Sequence, residues 1–280
     1  MRILVAGGRR GGATPLCCWY EPTNDAWSEA PYLSYRRDCA AAAVVQENVY
    51  VVGGRNTDFE DEKLCERFDP KTNAWTEVAS LQRYRREPGA AALGNLLYVV
   101  GGIRAGELLE SVECYEPDAN IWTAGPDLPV GLGPAAAFTI GGALWVVGEA
   151  GDYRAFKLDP RTSRWDEGPV VCRGRRWLAI AADDYAIYTF GGVTPDGVSR
   201  VSERCELATG TISRVADLPT ARRCAVAVTL DHRIAVIGGE LADGTELANA
   251  EAFDTRTGAW HALAPMPWAC ASATAVRVST

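Results

Sequence analysis

Histidine is nearly missing from this sequence: among 280 residues there are two, His232 and His261. No pair of CxxC motifs is present either. Both shortages argue against a structural zinc site and against a copper centre built from several histidines, so no metal and no cofactor is expected. Lysine is almost as scarce. Lys63, Lys71 and Lys157 stand alone, and the other 25 of the 28 basic residues are arginines. No apolar run approaches the ~20 residues that a membrane-spanning helix needs. The opening residues, MRILVAGG, are too short for a secretion signal. The expectation is a soluble protein with no membrane association, cytoplasmic, with the nucleus also open to it. Nine cysteines, an odd number without a signal peptide, fit reduced thiols that pack as small apolar side chains. The net charge of −8 disfavours nucleic acid as a partner.

What the sequence does contain is repetition. At 48% hydrophobic and 23% charged it can build a packed core. An apolar run ending in a glycine doublet recurs as ILVAGG, VYVVGG, LYVVGG, LWVVGE, IYTFGG and IAVIGG. The leading glycines, 7, 53, 101, 148, 191 and 238, are 46, 48, 47, 43 and 47 residues apart. Behind each doublet except the fifth comes an aromatic or leucine, followed seven residues later by tryptophan. The pairs are Tyr20 and Trp27, Phe68 and Trp75, Tyr115 and Trp122, Leu158 and Trp165, and Phe253 and Trp260. Turn residues such as Asp69-Pro70 lie between them. The fifth unit has Leu207 and Ile212 and no tryptophan.

Each unit reads as four short strands: an Ala/Val strand, a strand ending in the doublet, an aromatic strand and a tryptophan strand. A unit this small must stack on its neighbours. This pattern, GG then an aromatic turn then Trp at a period near 47, resembles the Kelch repeat across the whole chain. The resemblance implies an all-β, six-bladed propeller, residues 1–280 forming a single domain. Small residues such as 40–43, 90–92 and 135–137 suit the crowded inner strands, and the tryptophans suit the packing between blades. The chain begins on the second strand of a unit, residues 3–8, and ends on an orphan first strand, residues 271–278. Joining the two would complete the sixth blade.

A propeller fold by itself assigns no function, so the site has to be argued from loops. Six linkers between units read YRRDC (35–39), RYRREP (83–88), GLGP (131–134), RGRRWL (173–178), ARRC (221–224) and PWAC (267–270). A second set follows the doublets and carries Arg9, Arg10, Arg55, Asn56, Ile103 and Arg104. Kelch architecture implies that both sets share one face around the central channel, where their arginines would form a basic recognition surface. The planar fork of arginine suits carboxylate or phosphate. The expected peptide-binding residues are Arg9, Arg37, Asp38, Arg55, Asn56, Arg86, Glu87, Arg104, Arg176, Trp177, Arg223 and Trp268. Trp177 and Trp268 lie outside the tryptophan-strand register and read as interface anchors or as plugs over the blade core. The first arginine of each pair could instead brace the loops between blades, and the acidic stretch 58–62 could neutralise part of the patch.

The repeat style is similar to the propellers of Kelch-like BTB proteins. That resemblance implies a non-catalytic substrate receptor of a cullin-RING ubiquitin ligase. It would bind an acidic peptide or disordered segment and reach the ligase through BTB and BACK regions absent from this chain. The isolated domain would be monomeric. Two rivals are a cytoskeletal, actin-associated Kelch scaffold and a Kelch-type enzyme such as a sugar epimerase. Glu87, Asp38 and Glu149 would be that enzyme's channel carboxylates, but a carboxylate among arginines is expected to have a lowered pKa, which suits a base poorly. Cys39 and Cys224 follow arginines and are expected to be activated if they sense redox state.

Overall fold

The computed structural model describes residues 1–279. Six antiparallel sheets of four strands each are arranged radially, with two short ribbons, Ile103–Arg104 with Glu107–Leu108 and Val193–Thr194 with Gly197–Val198. We number the blades by chain order. Blade 2 shows the pattern, with strands Ala41–Val45, Asn48–Val52, Cys65–Asp69 and Ala74–Val78 from axis to rim. Blades 3 to 6 repeat it, with inner strands at Gly89–Leu93, Ala135–Ile140, Ala179–Ala182 and Val226–Leu230. Each inner strand touches the inner strands of both neighbouring blades, so the ring is closed. Alanines 42, 90, 137, 181, 227 and 275 line the channel left along the axis.

Blade 1 closes the circle. Its outer three strands are Arg2–Ala6, Cys17–Glu21 and Ala26–Ala30, and its inner strand is the C-terminal Thr274–Val278. Arg2 faces Val278 and Ala6 faces Thr274 in an antiparallel register. The latch therefore forms where the sequence suggests, over five residues rather than eight.

The tryptophans join blades as well as fill them. In the five tryptophan strands the indole Nε1–H donates to a carbonyl in the linker that leaves the preceding blade. Trp75 reaches Pro31 at 2.8 Å, Trp122 reaches Ala79 at 2.6 Å, Trp165 reaches Pro126 at 2.8 Å and Trp260 reaches Ala216 at 2.8 Å. Trp27 does the same across the closure, to Ala264 at 2.7 Å. Each of these indoles satisfies its one donor, while the rings of Trp27, Trp75, Trp122 and Trp260 pack against the aromatic of their own blade and Trp165 faces Leu158.

The glycine doublet has a steric reason. In blade 2 a Cβ on Gly53 would lie 2.6 Å from the Arg85 carbonyl oxygen, and φ there is 64°. The next N–H, from Gly54, donates to that same oxygen at 2.9 Å. The doublet is the socket into which the following linker docks.

Beneath the next such socket, the blade 3 doublet Gly101-Gly102, lies a buried ion pair. Arg85 sends one nitrogen to the carbonyls of Gly101 (2.8 Å) and Ser111 (2.9 Å), and the other to Glu113 at 2.6 Å. Arg37 repeats this with Leu64 and Glu66, Arg175 with Gly191, Val201 and Glu203, and Arg222 with Gly238, Asn249 and Glu251. The carboxylates then accept from the linker: Glu66 from the Ser34 amide and Glu113 from the Gln82 amide, both at 2.6 Å. Two blades depart, and in both the whole pair departs. By sheet register, Phe156 in blade 4 and Cys18 in blade 1 occupy the glutamate position. Leu132 and Cys270 occupy the arginine position, each presenting its carbonyl to a glycine of the preceding doublet. All four replacements are buried. This is the expected outcome if a lone buried charge is far less tolerable than a pair or than none.

Two outcomes follow from this architecture. Arg85→Leu alone should lower stability by about 3–5 kcal/mol because Glu113 is left uncompensated. The double change Arg85→Leu with Glu113→Phe, which copies blade 4, should recover most of that loss in urea melts. Equal stability of the single and double variants would refute the coupling. Deleting residues 271–280 should abolish the cooperative thermal transition, and an unchanged Tm would show that the latch does not hold the ring.

Candidate functional site

The two loop sets meet on one face. Main-chain bridges join Asp38 to Arg55, Arg86 to Ile103, Arg176 to Val193, Arg223 to Glu240 and Arg9 to Ala271. Five of the expected arginines, 9, 55, 86, 176 and 223, therefore gather around the mouth of the channel. None of them stands free. Arg55 grips Asp38 in two places, at 3.0 and 2.9 Å. Arg86 pairs with Asp61 at 2.7 Å, Arg176 with Glu149 at 2.9 Å and Arg223 with Glu240 at 2.7 Å. Arg9 bonds the same Glu240 and lies 3.5 Å from Glu246. The patch is a lattice of charge pairs rather than a bare basic ring. The acidic stretch 58–62 contributes through Asp61, and Glu240 and Glu246 complete it from the far end of the chain.

Arg37 is a correction. It is 1% exposed, committed to Glu66 and the carbonyls beneath the blade 2 socket, and cannot reach a ligand. Trp268 is another: it is half-buried and packs against the core cluster between blades 1 and 6. Asn56 shapes its own loop, its side-chain oxygen accepting from the amides of Asp58 and Glu60. Arg104 is exposed on its ribbon and has no side-chain partner among the described residues. Trp177 is 42% exposed, with the Arg223 guanidinium 5.4 Å from its ring. Arg176 beside it has the most accessible side chain of the five clustered arginines, at 67%.

Two carboxylates depart from expectation in their protonation. Burial raises the pKa of Glu87 despite the opposing pull of Arg86, and burial raises that of Glu149 despite Arg176. At Glu87 the neighbouring Arg86 is committed to Asp61, and at Glu149 desolvation outweighs even its own partner Arg176. Cysteine reactivity is corrected on the same ground. Burial, helped by Glu87 and Asp38, pushes the Cys39 thiol well up, and burial with Glu240 pushes Cys224 up to about 11. Neither is an activated thiolate.

Raised thiol pKa values mean less thiolate than an unfolded cysteine holds at the same pH. Iodoacetamide at pH 8 should therefore label Cys39 and Cys224 more slowly in the folded protein than in urea, as read by mass spectrometry. Faster labelling of the folded form would mean that the arginines prevail.

Comparison with known proteins agrees with this architecture. Kelch-like protein 35 of Mus musculus is 29% identical over 267 residues, covering 91% of this chain and 45% of that protein. Alpha-scruin of Limulus polyphemus is 26% identical over 168 residues, 54% of this chain and 18% of that protein. The chain spans less than half the length of these curated relatives. Among solved structures, one described as the structure of YjhT superposes with a TM-score of 0.73 over 93% of this chain and 96% of that one, at 16% identity. The Kelch motif itself matches residues 36–82, 84–129 and 221–267, half of the chain. With those matches and six blades built on one repeated plan, the chain belongs to the Kelch-repeat family.

Proposed function

We propose that this chain is a non-catalytic protein-interaction domain whose arginine face binds an acidic, extended segment of a partner protein. The observation that carries the reading is the edge made by Arg176, Trp177 and Arg223. It joins an accessible guanidinium, an accessible indole and a second guanidinium over that indole. An arginine held along one side by a protein carboxylate keeps further N–H donors in a fixed orientation. The charge pairs thus preorganise the face, and an incoming carboxylate meets donors whose freedom is already lost. An indole flanked by cations is the kind of anchor that dominates interface energies.

The similarity to Kelch-like protein 35 supports a finer reading, in which the domain selects substrates for a cullin-RING ubiquitin ligase engaged through a region outside this chain. A cytoplasmic location belongs to that reading.

The test is a peptide display selection against the domain, repeated with Arg176→Ala and Arg223→Ala. Glu240 keeps Arg9 as its partner when Arg223 is lost, and the Arg176 side chain is largely exposed, so that its pair with Glu149 contributes little. Both variants should therefore retain a near-wild-type Tm. An acidic consensus should emerge and should weaken by about 2 kcal/mol for each desolvated contact removed. A consensus that binds both variants like wild type would place the site elsewhere, and enrichment of no motif at all would overturn the peptide reading.

A further inference from the structure

The throat of this face has a different chemistry from its rim. One residue from each linker surrounds the axis: Cys39, Glu87, Pro134, Trp177, Cys224 and Ser272, lining a cavity of about 140 Å³. Their main chains are tied in sequence. The Glu87 amide donates to Cys39 at 2.7 Å, Cys39 to Ser272 at 2.9 Å, Ser272 to Cys224 at 2.8 Å and Cys224 to Trp177 at 3.1 Å. The ring is a rigid collar, with the side chains of Pro88 and Leu178 adding apolar wall.

Two polar groups, one in this collar and one beneath it, lack the partners that their surroundings demand. Asp38, Asp61, Glu149 and Glu240 each have an arginine, whereas Glu87 has no ion pair among the described residues. Its one side-chain partner is the Cys39 thiol, which donates across 3.7 Å. Just below, Tyr153 lines the channel, is 1% exposed, and has a hydroxyl without a hydrogen-bond partner. Burial, with Glu149 and Glu87 nearby, pushes the Tyr153 pKa up, so the hydroxyl stays neutral. Glu87 and Tyr153 line two adjoining cavities of the channel that share walls such as Pro88, Pro134 and Leu178. A half-buried carboxylate above a buried hydroxyl calls for a ligand that supplies positive charge and several donors.

We propose that the throat is a primary-ammonium site that takes a lysine side chain of the bound segment. The Glu87 carboxylate and the Tyr153 oxygen accept from the ammonium, and the apolar collar with the Trp177 ring covers the methylene stem. The nearest cations, Arg55 and Arg86, do not occupy this role, because each is committed to its own aspartate. An anionic ligand would meet both Glu87 and Glu149. A neutral alcohol would leave the Glu87 charge uncompensated. The inference rests on the peptide reading above and refines it: the segment would carry one lysine among acidic residues, with the lysine in the throat and the carboxylates on the rim.

The test separates the two ideas. The indole N–H resonance of Trp177, assigned through Trp177→Phe, is followed by NMR during titrations with n-butylammonium, n-butanol and n-butyrate at pH 7.5. Only n-butylammonium should give a saturable shift. Glu87→Gln should weaken it at least tenfold, and Tyr153→Phe several-fold with an unchanged Tm. An equal response to n-butanol, no saturable response, or a Glu87→Gln variant that titrates like wild type would overturn the proposal. In a second arm, peptides of sequence Glu-Glu-Lys-Glu-Glu and the same peptide with norleucine for lysine are compared by calorimetry. At least tenfold tighter binding of the lysine peptide supports the lysine assignment, and equal binding overturns it. Binding of n-butylammonium with no binding of either peptide would retain an ammonium site, overturn its assignment to a peptide lysine and count against the acidic-segment reading.

Discussion

The buried arginine–glutamate pair is the interaction on which the rest of this propeller depends. Each pair lies where three things meet: the carbonyl of a doublet glycine, the start of the aromatic strand and the incoming linker. A desolvated guanidinium needs acceptors for its terminal nitrogens, and at that depth backbone carbonyls, one carboxylate and, for Arg85 and Arg175, a side-chain hydroxyl supply them. Meeting that demand sets the path of the linker, and the linker carries the residues of the functional face. The joint switch to Leu132 with Phe156 and to Cys270 with Cys18 shows that this is a constraint on the pair, not on either residue alone.

The same linkers explain the contrast between structural and exposed arginines. In three Arg-Arg pairs one arginine turns inward to its glutamate and one stays at the face: Arg85 with Arg86, Arg175 with Arg176, and Arg222 with Arg223. In the linker at 35–39 the order slips by one, so that Arg37 is buried and Asp38 takes the outer place, where it binds Arg55. A face rich in arginine on an acidic protein is thereby held without mutual repulsion, since each clustered cation meets a carboxylate from another loop. Glu87 is the exception that gives the throat its own character.

Much of the site was legible in sequence as residue type and loop membership. Arg9, Arg55, Arg86, Arg176, Arg223 and Trp177 do share a face. Their partners were less so. Glu240 and Arg9 are 231 positions apart, and only the closing of the ring by the Thr274–Val278 strand brings them together. Tyr153 carried no signal, because its register neighbours look like ordinary strand residues and its missing hydrogen bond is a property of the cavity. Arg37 was misread for a similar reason: an arginine in a polar loop looks like a surface residue until the acceptors beneath it are known.

The sequence alone determined the repeat, and with it the six blades, the four-strand order, the latch and the tryptophan packing. These follow from apolar periodicity, glycine where a carbonyl approaches and turn residues at set intervals, all of them local or repeated features. Tertiary structure decided which charges are partners, which arginine of a pair faces water and how far burial raises Glu87, Glu149, Cys39 and Cys224. Those outcomes depend on desolvation and on contacts between residues remote in the chain, and neither quantity exists until the ring has closed.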